Sequence, residues 1–267
     1  DSATGNQTGT MTPPITDPEQ NSSAQDSSSI TVAEPIDLTP KTFDAGQIQI
    51  AQDIHNVSGQ ILNNADIRLN VQDSIINNGG AIQLPELQFN GQNFENQDGQ
   101  LIAQVVNITA HNFDNQKGSV IAGESFNLNA AQVNNTLGRL QSSKNLSLKT
   151  TGLESSQGQI VAGQQLNIDA SQLNNSKGII ASADSDAVLN ADYLNNAEGE
   201  ILAQNLELTA QQLMNQLGNI YAAQNAQIEI ADADNSNGQI AADQALKINT
   251  QLPALNNQSG KIISNAV

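Results

Sequence analysis

The sequence predicts an all-β protein, a right-handed parallel β-helix (solenoid) of about 11 coils with about 20 residues and three short strands in each coil. Three observations support this fold class. One glycine recurs at a nearly constant interval, apolar and polar residues alternate between these glycines, and an asparagine stands three residues before almost every one of them. A disordered amide-rich segment has a similar composition but does not keep such a register, so the period favours a stacked β-structure.

The repeating glycines set the coil length. Eleven of them follow one another at intervals of 19 to 22 residues: Gly59, Gly80, Gly99, Gly118, Gly138, Gly158, Gly178, Gly199, Gly218, Gly238 and Gly260. We call them the register glycines, and a coil is the segment from one to the next. Glycine suits a turn where φ is positive or where two backbones approach closely, so each register glycine is predicted to lie in a turn.

Between the register glycines, apolar residues alternate with polar ones at period two, the pattern of a half-buried strand. The first strand of a coil has the pattern Gly-x-Ile-x-Ala, the second Leu-x-Ile-x-Ala, and the third Leu-x-Asn. The coil that begins at Gly99 shows them at Leu101, Val106 and Phe113. Phe94 and Phe113 occupy equivalent positions of adjacent coils and are expected to stack.

Strands this short cannot bury an apolar face alone, but coils stacked at a spacing of about 4.8 Å can. Equivalent residues of successive coils then form columns, and the apolar columns fill a narrow lumen. Parallel strand crossovers strongly favour the right hand. The predicted coils make a rod about 50 Å long.

The most regular polar column is made of asparagines. They stand three residues before the register glycines in ten of the eleven coils, and only Ser155 differs. Stacked amides are predicted to bond from coil to coil or to cap the turns, as a structural ladder. This asparagine column comprises Asn56, Asn77, Asn96, Asn115, Asn135, Asn175, Asn196, Asn215, Asn235 and Asn257.

A second column, three residues after the register glycines, faces outward in the predicted coil but is mostly apolar, with Gln83 and Gln141 as its polar members. Soluble monomers seldom leave such a surface bare. Two alternatives stay open: a flanking segment covers it, or it contacts a sister rod, a receptor or a membrane. The candidate outer apolar stripe comprises Leu62, Ile102, Ile121, Val161, Leu202, Tyr221 and Ile263.

The chain divides into two regions by composition. Residues 42–267 carry the repeats and are predicted to form the β-helix. Residues 1–41 are rich in Ser, Thr, Gln, Asp and Pro and show no repeat, so we expect a disordered or extended linker. The alternative is a cap or a strand along the solenoid, for which the apolar pieces near Ile30 and Ile36 are available.

Composition excludes several classes of protein. Side-chain amides, 35 Asn and 32 Gln, make up a quarter of the 267 residues, and there is no Cys for a disulfide framework. Nine Lys and Arg against 27 Asp and Glu give a net charge of −18, which predicts no nucleic-acid partner. No apolar run is long enough to span a membrane, and the chain starts without a signal peptide of its own.

Candidate catalytic residues are few, and we predict no catalytic site, no cofactor and no metal. His55 and His111 are the only histidines, and no nucleophile stands at a catalytic spacing from them. Glu95 and Asp114 occupy equivalent positions of adjacent coils, as paired carboxylates for glycoside cleavage would. We expect no aromatic platform for sugar stacking beside them, and a negatively charged, solubilising outer face is the simpler interpretation.

The repeat resembles a known family. The segments Gly99-Gln-Leu-Ile-Ala-Gln, Val106-Asn-Ile-Thr-Ala and Phe113-Asp-Asn, and likewise Gly199-Glu-Ile-Leu-Ala-Gln-Asn-Leu-Glu-Leu-Thr-Ala, are similar to the haemagglutinin repeats of filamentous haemagglutinin-like exoproteins. Such repeats occur in adhesins and in contact-dependent growth inhibition toxin-delivery proteins that use two-partner secretion. The Asn-Pro-Asn secretion motif of these proteins and a toxin-like domain are not found in this sequence.

The resemblance implies a structural stalk or interaction segment of a large secreted bacterial surface protein, one that presents adhesive or toxin-delivery regions and contacts target cells in virulence or competition. The implied partners are an outer-membrane transporter during export and a receptor on a host cell or neighbouring bacterium, with lateral self-association as a further expectation. The implied location is secreted or on the bacterial cell surface. The alternative function is a carbohydrate-binding or polysaccharide-degrading β-helix spike.

Overall fold

Strands wound into a solenoid make up the fold seen in the computed structural model. It describes residues 30–32, 36–37, 48–50, 54–58, 60–62, 68–71, 73–250 and 255–265, with side chains only within 54–58, 73–250 and 255–265. Within these ranges, 25 strands form one sheet that winds as a parallel β-solenoid of about ten turns of roughly 20 residues, without a helix. The predicted fold class is therefore confirmed, with about ten turns against the eleven coils that we counted in the sequence.

Short strands make up the N-terminal coils. They are β1 Ile30–Val32, β2 Ile36–Asp37, β3 Ile48–Ile50, β4 Ile54–His55, β5 Gln60–Leu62, β6 Arg68–Val71, β7 Ser74–Ile76, β8 Ala81–Asn90 and β9 Asn93–Glu95. Strand β1 pairs in parallel with β3, and β2 pairs with β4. Apart from β1 and β2, residues 1–41 lie outside the described residues, and their division into linker or cap stays a prediction.

Two long strands follow, β10 Gln100–Asp114 and β11 Ser119–Asn134, each of which runs through almost a whole coil. After them, a short strand alternates with a longer one. These are β12 Arg139–Ser142, β13 Asn145–Glu154, β14 Gln159–Ala162, β15 Leu166–Asn174, β16 Ile179–Ser182, β17 Asp186–Asn195, β18 Glu200–Ala203, β19 Asn205–Met214, β20 Asn219–Ala222, β21 Ala226–Asp234, β22 Gln239–Ala242, β23 Leu246–Thr250, β24 Leu255–Asn256 and β25 Lys261–Ser264.

We predicted three strands in each coil, but most coils contain two, because the predicted second and third strands form one continuous strand. Strand β13 shows the join: Leu146, Leu148 and Thr150 point inward, then two outward residues follow before Leu153 points inward again. Pairing with β15 skips the residue between Thr150 and Gly152. The chain bends there without leaving the ladder, and an alternation of residue types does not reveal such a bend.

Each strand pairs with its equivalent one coil away, so the columns inferred from the sequence are columns in space. Leu140 pairs with Ile160 and Ile160 with Ile180, all three fully buried. Four buried phenylalanines pack in the lumen of the earlier coils, and the rings of Phe94 and Phe113 stack with their centroids 5.5 Å apart, as expected. In the described part of the chain, no helix is long and apolar enough to cross a membrane.

The turn that closes each coil assigns different roles to two neighbouring residues. The residue before the register glycine has the positive φ, between 52° and 58° in ten coils, and it is a non-glycine residue in each of them. The register glycine is required by close approach instead: a Cβ on Gly118 would lie 2.0 Å from the carbonyl oxygen of Asn96 in the preceding coil. Of the two reasons predicted for glycine, the structure supports close approach.

This division of roles yields a stability prediction at Leu217, which has φ of 58° and is 64% exposed. Leu217→Gly relieves the left-handed strain and should raise the free energy of unfolding by about 0.5–1 kcal/mol. Gly218→Ala, one residue later, should lower it by about 1–3 kcal/mol, because its Cβ would lie 2.2 Å from the Asn196 carbonyl oxygen. Urea unfolding followed by circular dichroism measures both, and the reverse order of stabilities would contradict the assignment.

Candidate functional site

The asparagine column lies in the corner of each coil. Its members from Asn56 to Asn235 are fully buried, and Asn257 is half-buried. Wherever two asparagines of the column are consecutive, Nδ2 of the first donates to Oδ1 of the second, as from Asn96 to Asn115 at 2.7 Å and from Asn215 to Asn235 at 2.6 Å. The structure thus brings together the residues that the sequence placed in one column.

The same amides also satisfy backbone carbonyls of the turn. Nδ2 of Asn115 donates to the carbonyl oxygen of Gly118 and to that of Arg139 in the next coil, each at 3.2 Å. The N–H of Gly118 in turn donates to the Asn115 carbonyl oxygen at 2.9 Å. A buried corner leaves these groups no water to bond, so a side chain with both N–H donors and an acceptor is needed there.

Ser155 interrupts the column. Its Oγ accepts a hydrogen bond from Asn135 Nδ2 at 3.1 Å. On the other side, the buried Oδ1 of Asn175 has no hydrogen-bond partner. A buried acceptor left unsatisfied costs about 1–3 kcal/mol, so the stack is weaker between these two coils.

The outward column four residues before the register glycines, which includes Glu95 and Asp114, caps the turn in several coils. Asp114 Oδ1 accepts the backbone N–H of Gln116 at 3.0 Å. Amides from neighbouring coils bond the same carboxylates: Asn78 donates to Glu95 at 3.0 Å, and Asn134 donates to Asp114 at 3.1 Å. Asp114 thus caps its turn, and in the turn that follows Glu95 this role falls to Asn78, whose Oδ1 accepts the backbone N–H of Gln97 at 3.0 Å.

The remaining candidates are simple to place. His55 and His111 are both exposed. Within the residues that the structure describes, no group of three or more His, Asp and Glu side chains could hold a metal ion.

The residues of the outer apolar stripe lie in one column, which Gln83 and Gln141 interrupt. Ile102 pairs with Ile121, and Leu202 pairs with Tyr221. These side chains and Val161 are half-buried, Ile263 is exposed, and the side chain of Leu62 lies outside the described residues. The hydroxyl of Tyr221 donates to Asp243 at 2.6 Å, and this hydrogen bond to a carboxylate raises the pKa of the tyrosine.

Another face of the solenoid carries a groove that was not predicted from the sequence. It lies along the column of residues that stand six positions before the register glycines. It has a volume of about 560 Å³, and Gly152, Glu154 and Tyr193 line it, together with the amides of Gln132 and Gln172. Tyr193 lies two coils from Glu154 on the same face but four coils from Asp114, so the absence of an aromatic platform beside Glu95 and Asp114 stays a prediction. In the sequence, aligning this column shows a tyrosine and a glycine among amides, and this irregularity could have indicated the groove.

Comparison with known proteins identifies the repeat. The family model of the haemagglutinin repeat matches residues 41–84, 85–149, 127–185, 158–214 and 201–266, so the matches run without a gap from 41 to 266. The chain belongs to the haemagglutinin repeat family, and its repeats form a filamentous haemagglutinin-like region. No curated protein and no solved structure matches the chain.

The interruption at Ser155 yields a testable prediction. Ser155→Asn should supply a donor to Asn175 Oδ1 and raise the free energy of unfolding by about 1–3 kcal/mol. Ser147→Asn is the matched control, since Ser147 is exposed in the same coil and pairs with Asn127 and Asn167. Denaturant unfolding should show a gain for the first variant only, and equal effects of both would contradict the role of the column.

A pH prediction comes from Asp234. Hydrogen bonds from Ser236, above all from its backbone N–H to Oδ1 at 2.9 Å, lower the pKa of this carboxyl below its usual 3.8, with help from Gln216 and Asn256. Because the folded pKa is depressed, the stabilisation is present above the unfolded pKa and is lost as the pH falls through the folded pKa.

Asp234→Asn should therefore flatten the acid side of the stability curve, and asparagine already occupies the same column at Asn134 and Asn174. Thermal melts from neutral pH down to about pH 2 compare the variant with the wild-type protein. Parallel acid limbs for the two proteins would contradict the assignment.

Proposed function

We propose that the chain is a stalk segment of a large bacterial exoprotein, which extends and presents adhesive or toxin-delivery regions and contacts target-cell surfaces. The haemagglutinin repeat is a structural, adhesin-type unit of secreted or surface-associated bacterial proteins, and its family implies two-partner secretion through an outer-membrane transporter. The observation that carries the proposal is the unbroken parallel pairing of equivalent strands from β8 to β25.

This pairing suits a stalk for a physical reason. Each coil contacts only its neighbours, so the stability of the stack is approximately a sum of coil and nearest-neighbour terms. Adding coils lengthens the rod without a larger core. The net charge of −18 keeps such a rod soluble at high local concentration.

The outer apolar stripe is the proposed contact face of the stalk. The strand register aligns its aliphatic side chains, and those of Ile102, Ile121 and Leu202 are half-buried, so apolar surface remains accessible to a receptor or a sister rod. Net negative charge opposes contact between two identical rods, so lateral self-association should need added salt.

Three threonine substitutions test this face. The variant Ile102→Thr, Ile121→Thr and Leu202→Thr removes apolar area from strand positions that threonine tolerates. We expect retention on target cells to fall by about tenfold or more, and salt-induced light scattering to fall as well. The control variant Asn107→Thr, Asn127→Thr and Asn167→Thr changes a polar outward column of the same solenoid. Equal retention of the stripe variant and wild type would exclude the stripe as the contact face.

The adhesive and toxin-delivery roles differ in their effect on the cell that the rod contacts. Bacteria displaying the intact exoprotein are mixed with host cells and, separately, with competing bacteria. An adhesin stalk predicts retention on host cells without loss of viability, whereas a delivery stalk predicts growth inhibition of the competing bacteria. Neither effect from the displayed protein would contradict the proposal.

A further inference from the structure

We infer that the groove around Gly152 is a binding site for an uncharged oligosaccharide, with the ring of Tyr193 as its stacking platform. The inference rests on the proposed surface-contact function only in that the sugar would be displayed on a target cell. The site itself lies on a different face of the coil from the outer apolar stripe.

Strand register places the groove residues in one line along the rod. Gln132 pairs with Gly152, Gly152 with Gln172, and Gln172 with Tyr193. Tyr193 is thus two coils, about 10 Å, from Gly152. Because Gly152 has no side chain, a gap remains between the side chains of the neighbouring coils. The Gln132 side chain folds over this gap, with Oε1 2.5 Å from the position that a Cβ on Gly152 would occupy.

The size of the groove fits a small part of a sugar chain. Its volume of about 560 Å³ falls in the range of sites that hold small ligands. It runs along the column rather than into the lumen, so a linear chain can continue past either end. The half-buried ring of Tyr193 presents an aromatic surface to the C–H face of a pyranose.

The polar lining matches hydroxyl groups that both donate and accept. Glu154 Oε1 accepts the Ser156 N–H and an Asn174 N–H, each at 3.0 Å, and Oε2 accepts from Asn174 at 2.8 Å. A carboxylate has about four acceptor sites, so one remains for a sugar hydroxyl. The Gln132 and Gln172 amides are exposed and supply further donors and acceptors.

Charge narrows the ligand class. Two carboxylates, Asp114 and Glu154, and no Lys or Arg are among the described residues that line the groove. Sulfated, phosphorylated and carboxylated glycans would therefore be repelled. Neutral sugars meet no such penalty.

The sequence departs from its own repeat in this coil. Between Gly138 and Gly158, Ser155 replaces the buried asparagine, Gly152 replaces an outward amide, and Thr150 stands where Ala130 and Ala170 stand in the neighbouring coils. Ser155 leaves a buried acceptor unsatisfied, and a glycine inside a strand weakens the strand, whereas the Thr150 hydroxyl donates to the carbonyl oxygens of Ala131 and Gly152. Local rules are broken at functional sites more than elsewhere, which favours a binding role for the groove.

Tyrosine fluorescence reports on the site directly, because the chain has two tyrosines and no tryptophan. In Tyr221→Phe protein, Tyr193 is the only emitter. This protein is titrated with maltotetraose, cellotetraose and triacetylchitotriose, and with a heparin-derived tetrasaccharide as the anionic comparison. We expect a saturable change of emission with at least one neutral sugar and none with the anionic one.

Two variants restore the usual residue of the column and so preserve the fold. Tyr193→Gln removes the platform, and Gly152→Gln fills the gap, where only the flexible end of Gln132 must move. Calorimetric titration should show binding of the neutral sugar weakened by about tenfold or more in each. Gln212→Ala, next to Tyr193 in the column but outside the groove lining, should bind as the wild-type protein does.

Some results would overturn the inference: no saturable binding of any neutral sugar, undiminished binding by either glutamine variant, or preference for the heparin fragment. Cell retention separates this failure from failure of the stalk proposal. If sugar binding is absent while the stripe variant still loses retention, the groove inference fails and the proposed contact function stands.

Discussion

The corner between coils is the constraint on which the rest of the structure depends. There the backbone of one coil passes so close to the asparagine of the coil before it that no Cβ fits at Gly118. The Asn115 amide bonds the carbonyl oxygen of Gly118 in this corner and also links one coil to the next. Glycine allows the close approach of the two backbones, and asparagine bonds the buried carbonyl oxygen of that glycine. The two residues therefore act together in the corner, and their recurrence sets the coil length. The lumen needs only apolar residues of suitable size, so Ile, Leu, Val and Phe exchange there.

How far the sequence predicts the structure depends on this corner. Period and alternation are enough for the columns, because each strand pairs with its own copy one coil away. The residue with positive φ was not predicted, since Lys117, Leu217 and Asn237 share no chemical type and the corner imposes the conformation on whatever stands there. The groove was missed because it depends on side-chain length in three successive coils, which a search within one repeat does not compare.

The outer surface has more order than its composition suggests. In the column that caps the turns, carboxylates are bonded by amides, as Asp114 and Asp234 are by Asn134 and Asn256 from the following coils. An amide between two carboxylates supplies a donor where a second carboxylate would add repulsion. The excess of asparagine and glutamine in the chain therefore serves both the inner corner and the outer caps.

Nearest-neighbour stability explains why such a rod tolerates weak coils. In a globular core, a lost buried hydrogen bond and a glycine in a strand would act on one cooperative unit. In a solenoid, the coils on either side of Ser155 and Gly152 keep their own pairing, and the loss is local. Surface features can thus change in one coil while the register continues above and below it. Positions that depart from the repeat are therefore the most informative about function, because the fold does not require the residues found there.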